Sequence, residues 1–232
     1  MATREEARAR RRKKRIIASI IRFILLVIIG LVALTVYYVS RINSISGTWE
    51  RDYDVTDEVA TNTVVWLSDI EGEDIDVDWV KSRIGELDVK VILQMNKTGF
   101  RKGEYSISVD EASYAECENK TKEILASCME EIIASKLQEA GYGDTVTTAQ
   151  SQEAILNVLG CSMQEYLSQN EVSVMYPIEN INSEVSESGQ YEVDIKTITW
   201  MHDGQELSEK YVKNAEVMIL PEGEEIYSKR DQ

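Results

Sequence analysis

The chain has 232 residues and a formal net charge of −16, which is divided between two parts of opposite sign. Residues 1–39 carry nine Lys/Arg and two acids, a net charge of +7, whereas residues 40–232 carry 16 Lys/Arg and 39 acids, a net charge of −23. An acidic part of this size repels polyanions, so we predict that nucleic acid is not a partner. The simplest interpretation of the acidic surplus is solubility.

A basic cluster precedes a long apolar run at the N-terminus. Residues 10–15 are all Lys or Arg, and residues 23–39 contain no charged side chain. Together with residues 16–21, the run is long enough at about 1.5 Å per residue to cross a hydrocarbon core of about 30 Å as a helix. Arg22 lies close enough to the cluster to extend its side chain to the headgroups. The sequence therefore predicts a basic cytoplasmic tail over residues 1–15, which contacts membrane lipids, and a transmembrane helix over residues 16–39.

The orientation of a membrane helix follows from its Lys/Arg bias. The N-terminus is predicted to lie in the cytoplasm, and residues 46–232 are predicted to form the extracytoplasmic domain of a single-pass cell-membrane protein. The alternative is a cleaved signal peptide, whose apolar region is shorter and ends in small residues. Here the run ends in Val36-Tyr37-Tyr38-Val39, and we expect an uncleaved anchor.

The first part of the predicted domain alternates between strand and helix patterns. Trp49, Tyr53 and Val55 share one parity of a first strand, and Thr56 begins a helix with acids in its first turn. A short helix is predicted over residues 78–84. Two strands then form a hairpin around residues 97–99. Their inward apolar side chains are Val89, Val91, Leu93, Met95, Tyr105, Ile107 and Val109.

A helical insertion is predicted over residues 111–169. Its first helix begins after Asp110 and runs to about residue 140, where Gly141 and Gly143 end it. Two further helices are expected, each opened by the spacing of a capping box. The two pairs with this spacing are Thr147 with Gln150 and Ser162 with Glu165.

The chain then returns to strand patterns. A short strand is predicted over residues 172–176, and a longer one begins with Tyr191 and Val193 on one face. Its parity shifts before Trp200, which predicts a bulge near Lys196-Thr197. Residues 203–204, Asp-Gly, form a predicted hairpin turn, and strands over residues 209–220 and 225–229 complete the chain. The predicted fold is α+β: an antiparallel sheet of six or seven strands, interrupted by the helical insertion.

The start Ser46-Gly47-Thr48-Trp49, leading into a strand, resembles the G-x-W opening of lipocalin-like domains. The wider layout, including the helical segment over residues 159–167, is similar to membrane-anchored lipocalin-like proteins of Gram-positive-type bacteria. This resemblance implies a partial lipocalin-like barrel, a small apolar ligand, and a structural role for Trp49 at the base of the barrel. It implies no ligand-contacting residue in this chain.

The cysteines and the histidine offer little for catalysis. Cys117 and Cys128 lie on one predicted helix about 16 Å apart, too far for a disulfide. Either could pair with Cys161, but the simpler interpretation is that all three are buried apolar side chains. His202 is the single histidine, and we expect it to be exposed beside its hairpin turn rather than catalytic.

Residues 74–78 resemble the first positions of a calcium-binding loop, because Asp74, Asp76 and Asp78 stand at alternate positions. A calcium loop needs Gly at its sixth position and Glu at its twelfth, where this chain has Trp79 and Gly85. We therefore predict no metal site, no cofactor and no catalytic residue.

These observations predict a non-enzymatic, membrane-anchored binding domain for a small apolar ligand, a peptide or a partner protein of the cell envelope. Two alternatives stay open: a structural or assembly protein that binds a partner through the helical insertion, and an envelope hydrolase that uses acidic residues. An internal cavity would favour ligand binding, an exposed apolar patch would favour assembly, and convergent carboxylates in a cleft would favour the hydrolase.

Overall fold

A computed structural model describes residues 19–37, 45–71, 74–143, 145–194 and 196–230. Among them, one helix, α1 (Ser19–Tyr37), is long and apolar enough to cross a membrane. It coincides with most of the predicted transmembrane helix. The predicted basic tail, residues 16–18 and residues 38–39 lie outside the described residues.

The rest of the described chain forms nine strands and six helices. The strands are β1 (Gly47–Asp54), β2 (Asp88–Lys97), β3 (Lys102–Val109), β4 (Glu187–Val193), β5 (Thr197–His202), β6 (Gln205–Lys210), β7 (Val212–Lys213), β8 (Val217–Leu220) and β9 (Glu225–Lys229). The helices are α2 (Thr56–Glu71), α3 (Val77–Ile84), α4 (Glu111–Glu139), α5 (Thr148–Leu159), α6 (Met163–Gln169) and α7 (Ile178–Val185).

The nine strands form one antiparallel sheet in the order β6-β5-β4-β3-β2-β1-β9-β8-β7. β6 and β7 lie at opposite edges of this order, although only Tyr211 separates them in the chain. The first half of this continuous segment pairs with β5 and the second half pairs with β8. One segment thus joins both edges, and the sheet curls into a nearly closed barrel.

The inward face of the barrel follows from the pairing register. Trp49 lies opposite Leu93, and Tyr191 lies opposite Trp200. Gly103 is required on this face because a Cβ atom there would lie 2.4 Å from the Tyr191 ring. The buried residues of this barrel core are Ile45, Trp49, Leu93, Met95, Tyr105, Tyr191, Val193, Ile198, Trp200, Tyr211, Met218, Leu220 and Tyr227.

The helices form a layer with a core of its own, which includes Val55, Val89 and Val109 from one end of the barrel strands. We call this end, where β1 finishes and β2 begins, the helical end of the barrel. We call the opposite end, where β1 begins, the closed end. Within the layer, α4 is central and contacts α2, α3, α5 and α6.

Most predicted elements of the first two thirds of the chain are present. The β2–β3 hairpin has the predicted inward face, and both capping boxes are formed. The helical insertion is longer than predicted, since α7 extends it to Val185 before β4 begins. The prediction missed α7, although Ile178, Ile181 and Val185 have helical spacing.

The last third differs more from the prediction. Residues 172–176 form no strand, because the carbonyl groups of Val174 and Met175 face α2 and accept hydrogen bonds from the Asn62 amide, at 3.2 and 3.5 Å. The parity shift near Lys196-Thr197 is a reversal between β4 and β5 rather than a bulge, closed by the Asp194 amide donating to the Thr197 carbonyl at 2.8 Å. The predicted strand over residues 209–220 is divided among β6, β7 and β8. The sheet therefore has nine described strands instead of six or seven.

Candidate functional site

The closed end of the barrel is a packed aromatic core. Trp49, Tyr191 and Tyr227 are each at most 2% exposed. The rings of Tyr105 and Trp200 meet edge to face with centroids 4.7 Å apart. The Trp49 indole Nε1 donates to the Ile45 carbonyl at 2.9 Å, so this tryptophan lies at the closed end where the chain enters the barrel. These side chains occupy the space that a ligand would need there.

Toward the helical end, the inward face becomes polar. The Arg51 guanidinium forms an ion pair with Glu225 at 3.2 Å and lies 5.9 Å from the Tyr227 ring. Glu209 is buried and accepts a hydrogen bond from the Trp200 indole. Burial raises the pKa of the Glu209 carboxyl group, and the Trp200 hydrogen bond opposes this shift. These groups pair with one another inside the barrel, but the buried Nε of Arg51 has no hydrogen-bond partner.

A second region, in the helical layer, leaves apolar side chains uncovered. A groove of ≈ 390 Å³ lies between α2, α4, α5 and α6. We call it the apolar groove, and its lining residues are Trp66, Ile70, Met129, Ile133, Leu137, Ala154, Ile155, Val158, Leu159, Met163 and Tyr166. Val158 is 82% exposed and Ile70 is 51% exposed. Exposed apolar patches of this kind mark interaction surfaces more often than scattered single residues do.

The groove is open because α5 covers its neighbours only partly. Ser151 and Ile155 are the buried residues of this helix. The ends of α5 are nevertheless well defined: Thr147 and Gln150 form a capping box, and Gly160 takes the left-handed conformation with φ of 76°. The helix is therefore held at its ends while its apolar face points partly to solvent.

On its other side, α5 borders a second depression of ≈ 360 Å³, which shares Ile155 and Met163 with the apolar groove. Its wall is more polar and includes Glu130 and Glu153. The Gln152 amide donates to the Glu130 carboxylate at 2.9 Å across this depression. Acidic groups thus lie directly beside the apolar surface.

The charge around the groove is mainly negative. α2, α5 and α6 contain no Lys or Arg, and residues 137–195 contain ten acids and no Lys or Arg. Lys136 is the base on the last turn of α4, and it forms an ion pair with Glu71. Exposed or half-exposed carboxylates on the four groove helices include Asp69, Glu130, Glu153 and Glu165. An apolar ligand with basic flanks therefore fits this surface better than an acidic one.

The residues that the sequence singled out do not converge here. His202 is exposed at the β5–β6 hairpin, where its Nδ1 lies 2.6 Å from the Ser188 carbonyl oxygen. The Asp76 side chain caps α3 by accepting from the Asp78 amide at 2.9 Å. No group of three or more His, Cys, Asp or Glu side chains suited to a metal occurs in the described part of the chain.

The three cysteines are free. Cys117 and Cys128 are buried as predicted, and burial raises the pKa of both thiols. Cys161 is partly exposed, so the prediction that all three are buried was wrong for this one. The alternative pairing of Cys161 with either of the other two is not formed.

Sequence reasoning missed the apolar groove because its walls come from segments far apart in the chain. The available signal was an excess of apolar positions on α5, where Leu156, Val158 and Leu159 extend the face begun by Ile155. Comparison with known proteins adds no identification, since no family model, no curated protein and no solved structure matches this chain.

Proposed function

We propose that this protein is a single-pass, membrane-anchored binding protein with its domain outside the cytoplasm. In this proposal α1 is the uncleaved anchor, the lipocalin-like barrel is the scaffold, and the apolar groove binds the apolar face of a basic segment of a partner protein. The role is binding and assembly rather than catalysis. The observation that carries the proposal is a groove of ≈ 390 Å³ with apolar walls and acidic surroundings.

Two physical terms favour a basic, amphipathic partner segment. Covering exposed apolar side chains such as Ile70 and Val158 contributes roughly 25 cal/mol per Å² of apolar area removed from water. Carboxylates beside the groove attract Lys and Arg and disfavour a partner that is itself acidic. An amphipathic helix laid into a groove is a common way of meeting both requirements.

The lipocalin-like resemblance favours a second candidate, a small apolar ligand inside the barrel. One observation supports it: Leu207, which lies opposite Trp200 on the inward parity of β6, is 64% exposed. The buried aromatic residues at the closed end leave this ligand only the part of the barrel near Leu207. The apolar groove leaves several apolar side chains exposed, including Ile70 and Val158, and for that reason we prefer it.

A designed peptide tests the proposal. The full-length protein would be placed in nanodiscs of phosphatidylcholine and titrated with a fluorescent helical peptide of Leu and Lys, with empty nanodiscs as background. We expect saturable binding, and we expect Ile70→Glu and Val158→Glu each to weaken it about tenfold, equivalent to roughly 1.4 kcal/mol. A peptide of the same pattern with Glu in place of Lys should bind more weakly than the Lys peptide.

Val65→Glu is the matched control, because Val65 is on α2 like Ile70, is 56% exposed, and does not line the groove. It adds the same negative charge without removing groove surface. Equal loss of binding in Val65→Glu and Ile70→Glu would contradict the groove as the site. Binding that survives both groove substitutions but is lost in Leu207→Glu would favour the barrel instead.

A further inference from the structure

The closed end of the barrel has a charge opposite to that of the helical layer. Three turns lie there, between β2 and β3, between β4 and β5, and between β7 and β8. Seven Lys/Arg side chains belong to these turns or to the strand ends beside them, and four acids accompany them. The bases are Lys97, Arg101, Lys102, Lys196, Lys210, Lys213 and Lys229; the acids are Glu104, Glu192, Asp194 and Glu216.

Two of the four acids are already neutralised by ion pairs within this end. Arg101 pairs with Asp194 at 2.9 Å, and Lys102 pairs with Glu192 at 3.1 Å. Among the described residues of this end, four exposed lysines form no ion pair and leave their charge to the solvent: Lys97, Lys196, Lys210 and Lys229. The closed end is therefore a basic surface on a domain that is acidic as a whole.

An exposed aromatic side chain lies in the middle of this basic surface. Phe100 is 65% exposed in the β2–β3 turn, and the Arg101 guanidinium carbon lies 5.5 Å from the centroid of its ring. A phenylalanine at a turn is costly to leave in water, whereas beside basic residues it is suited to a lipid headgroup region.

The chain connection limits how far the same end can lie from the membrane anchor. Trp49 pairs with Leu93 near the start of β1, and Gly47 pairs with Met95, two residues before Lys97. Ile45 follows Tyr37, the last described residue of α1, by eight positions. Eight residues span at most about 29 Å. The turns at the closed end therefore lie within reach of the surface from which α1 emerges.

We propose that the closed end of the barrel docks onto anionic lipid headgroups, with Phe100 entering the interface and the helical layer facing away from the bilayer. This inference rests on the membrane anchoring proposed above. Anionic lipid attracts Lys97, Lys196 and Lys229 and repels the acidic helical layer. Both effects turn the closed end toward the bilayer. Docking fixes the orientation of the domain and presents the apolar groove to partners.

A spin label tests the docking. In full-length protein with Cys161→Ser, a nitroxide would be attached at Thr98→Cys, an exposed position beside Phe100, or at Asn157→Cys on α5 as the distant control. The protein would be reconstituted into vesicles of phosphatidylcholine with or without phosphatidylglycerol. Collision with oxygen and with a water-soluble nickel chelate would report how deeply each label lies.

We expect the label at residue 98 to be shielded from the nickel chelate in vesicles with phosphatidylglycerol and exposed without it, while the label at residue 157 stays exposed in both. Lys97→Gln and Lys196→Gln should each lower the docked fraction relative to the undocked one about fivefold. Lys120→Gln on α4 removes the same charge from the helical layer and should not lower it.

Different results would overturn different steps. A label at residue 98 that is equally exposed in both kinds of vesicle would overturn docking and leave the anchor intact. Equal shielding in both would overturn the role of anionic headgroups. Release of the chain from the vesicles by alkaline carbonate would overturn the anchor itself, and docking with it.

Discussion

The barrel and the groove helices differ in how far they bury their apolar side chains. In the barrel, inward residues such as Trp49, Ile198 and Met218 are completely buried. In α5, the apolar residues Leu156 and Val158 are 53% and 82% exposed. The barrel is closed by strand pairing on nearly every side, so most of its apolar face has no access to solvent, with Leu207 of the edge strand β6 as an exception. The helices around the groove are held by a few contacts and by their caps, so they leave a surface available for binding.

The same two regions differ in charge. The closed end of the barrel carries a surplus of Lys and Arg, whereas residues 137–195, which contain α5, α6 and α7, contain neither. The −23 of residues 40–232 is therefore distributed unevenly. One end of the domain suits an anionic surface and the other suits a basic partner, and in our proposals these are the membrane and the bound segment respectively.

The largest effect is expected from the barrel core. Trp49→Ala removes a completely buried ring and its hydrogen bond to Ile45. We expect the free energy of unfolding of the full-length protein, measured by urea titration in mild detergent, to fall by about 4 kcal/mol. Val158→Ala truncates an 82% exposed side chain of the groove and should change it by less than about 0.5 kcal/mol. A similar loss of free energy of unfolding in both variants would mean that the groove is filled in solution. That result would contradict the contrast between a buried barrel core and an open groove.

How well the sequence predicted each region depends on whether the signal was local. Alternation over β2 and β3 and the capping boxes of α5 and α6 are properties of neighbouring residues, and they predicted these elements correctly. Residues 172–176 have β-branched side chains at Val172 and Val174, but the carbonyl group of Val174 accepts from Asn62 on α2, 112 residues away. A contact of that range cannot be read from the local pattern.

The closure of the barrel was beyond prediction for the same reason. Tyr211 looks like one residue within a strand, yet it is the point where the chain passes from one sheet edge to the other. Its amide donates to the Lys196 carbonyl at 3.0 Å, next to the reversal that the sequence suggested was a bulge. The apolar groove likewise depends on how α2 and α5 pack against α4. In the sequence, the only signal of this groove was the excess of apolar positions on α5.

An intermediate effect is expected at the cap of α5. Thr147→Ala removes the hydroxyl group that accepts from the Gln150 amide, at a cost of about 1 kcal/mol. Because α5 buries few residues, we expect the lost free energy to favour local unfolding of α5 alone. Amide hydrogen exchange in α5 should become about fivefold faster, while exchange in β2 is unchanged. Thr148→Ala, one residue further on and outside the cap, is the control. Faster exchange throughout the barrel would show that helix and barrel open as one unit.

The smallest effect concerns Glu209, which carries a charge inside the barrel near Glu225 and Glu222. Burial raises the pKa of its carboxyl group above the ordinary value of 4.5, so the folded state binds its proton more tightly than the unfolded state. The free energy of unfolding therefore falls as the pH rises from the unfolded pKa through the folded pKa. Glu209→Gln removes this decline: urea titrations should find the variant more stable relative to the parent at pH 8 than at pH 4. Glu206→Gln, on the exposed side of the same strand, removes an equal charge and should not show this difference. If both variants change alike, the effect belongs to the net charge of the domain and not to the interior of the barrel.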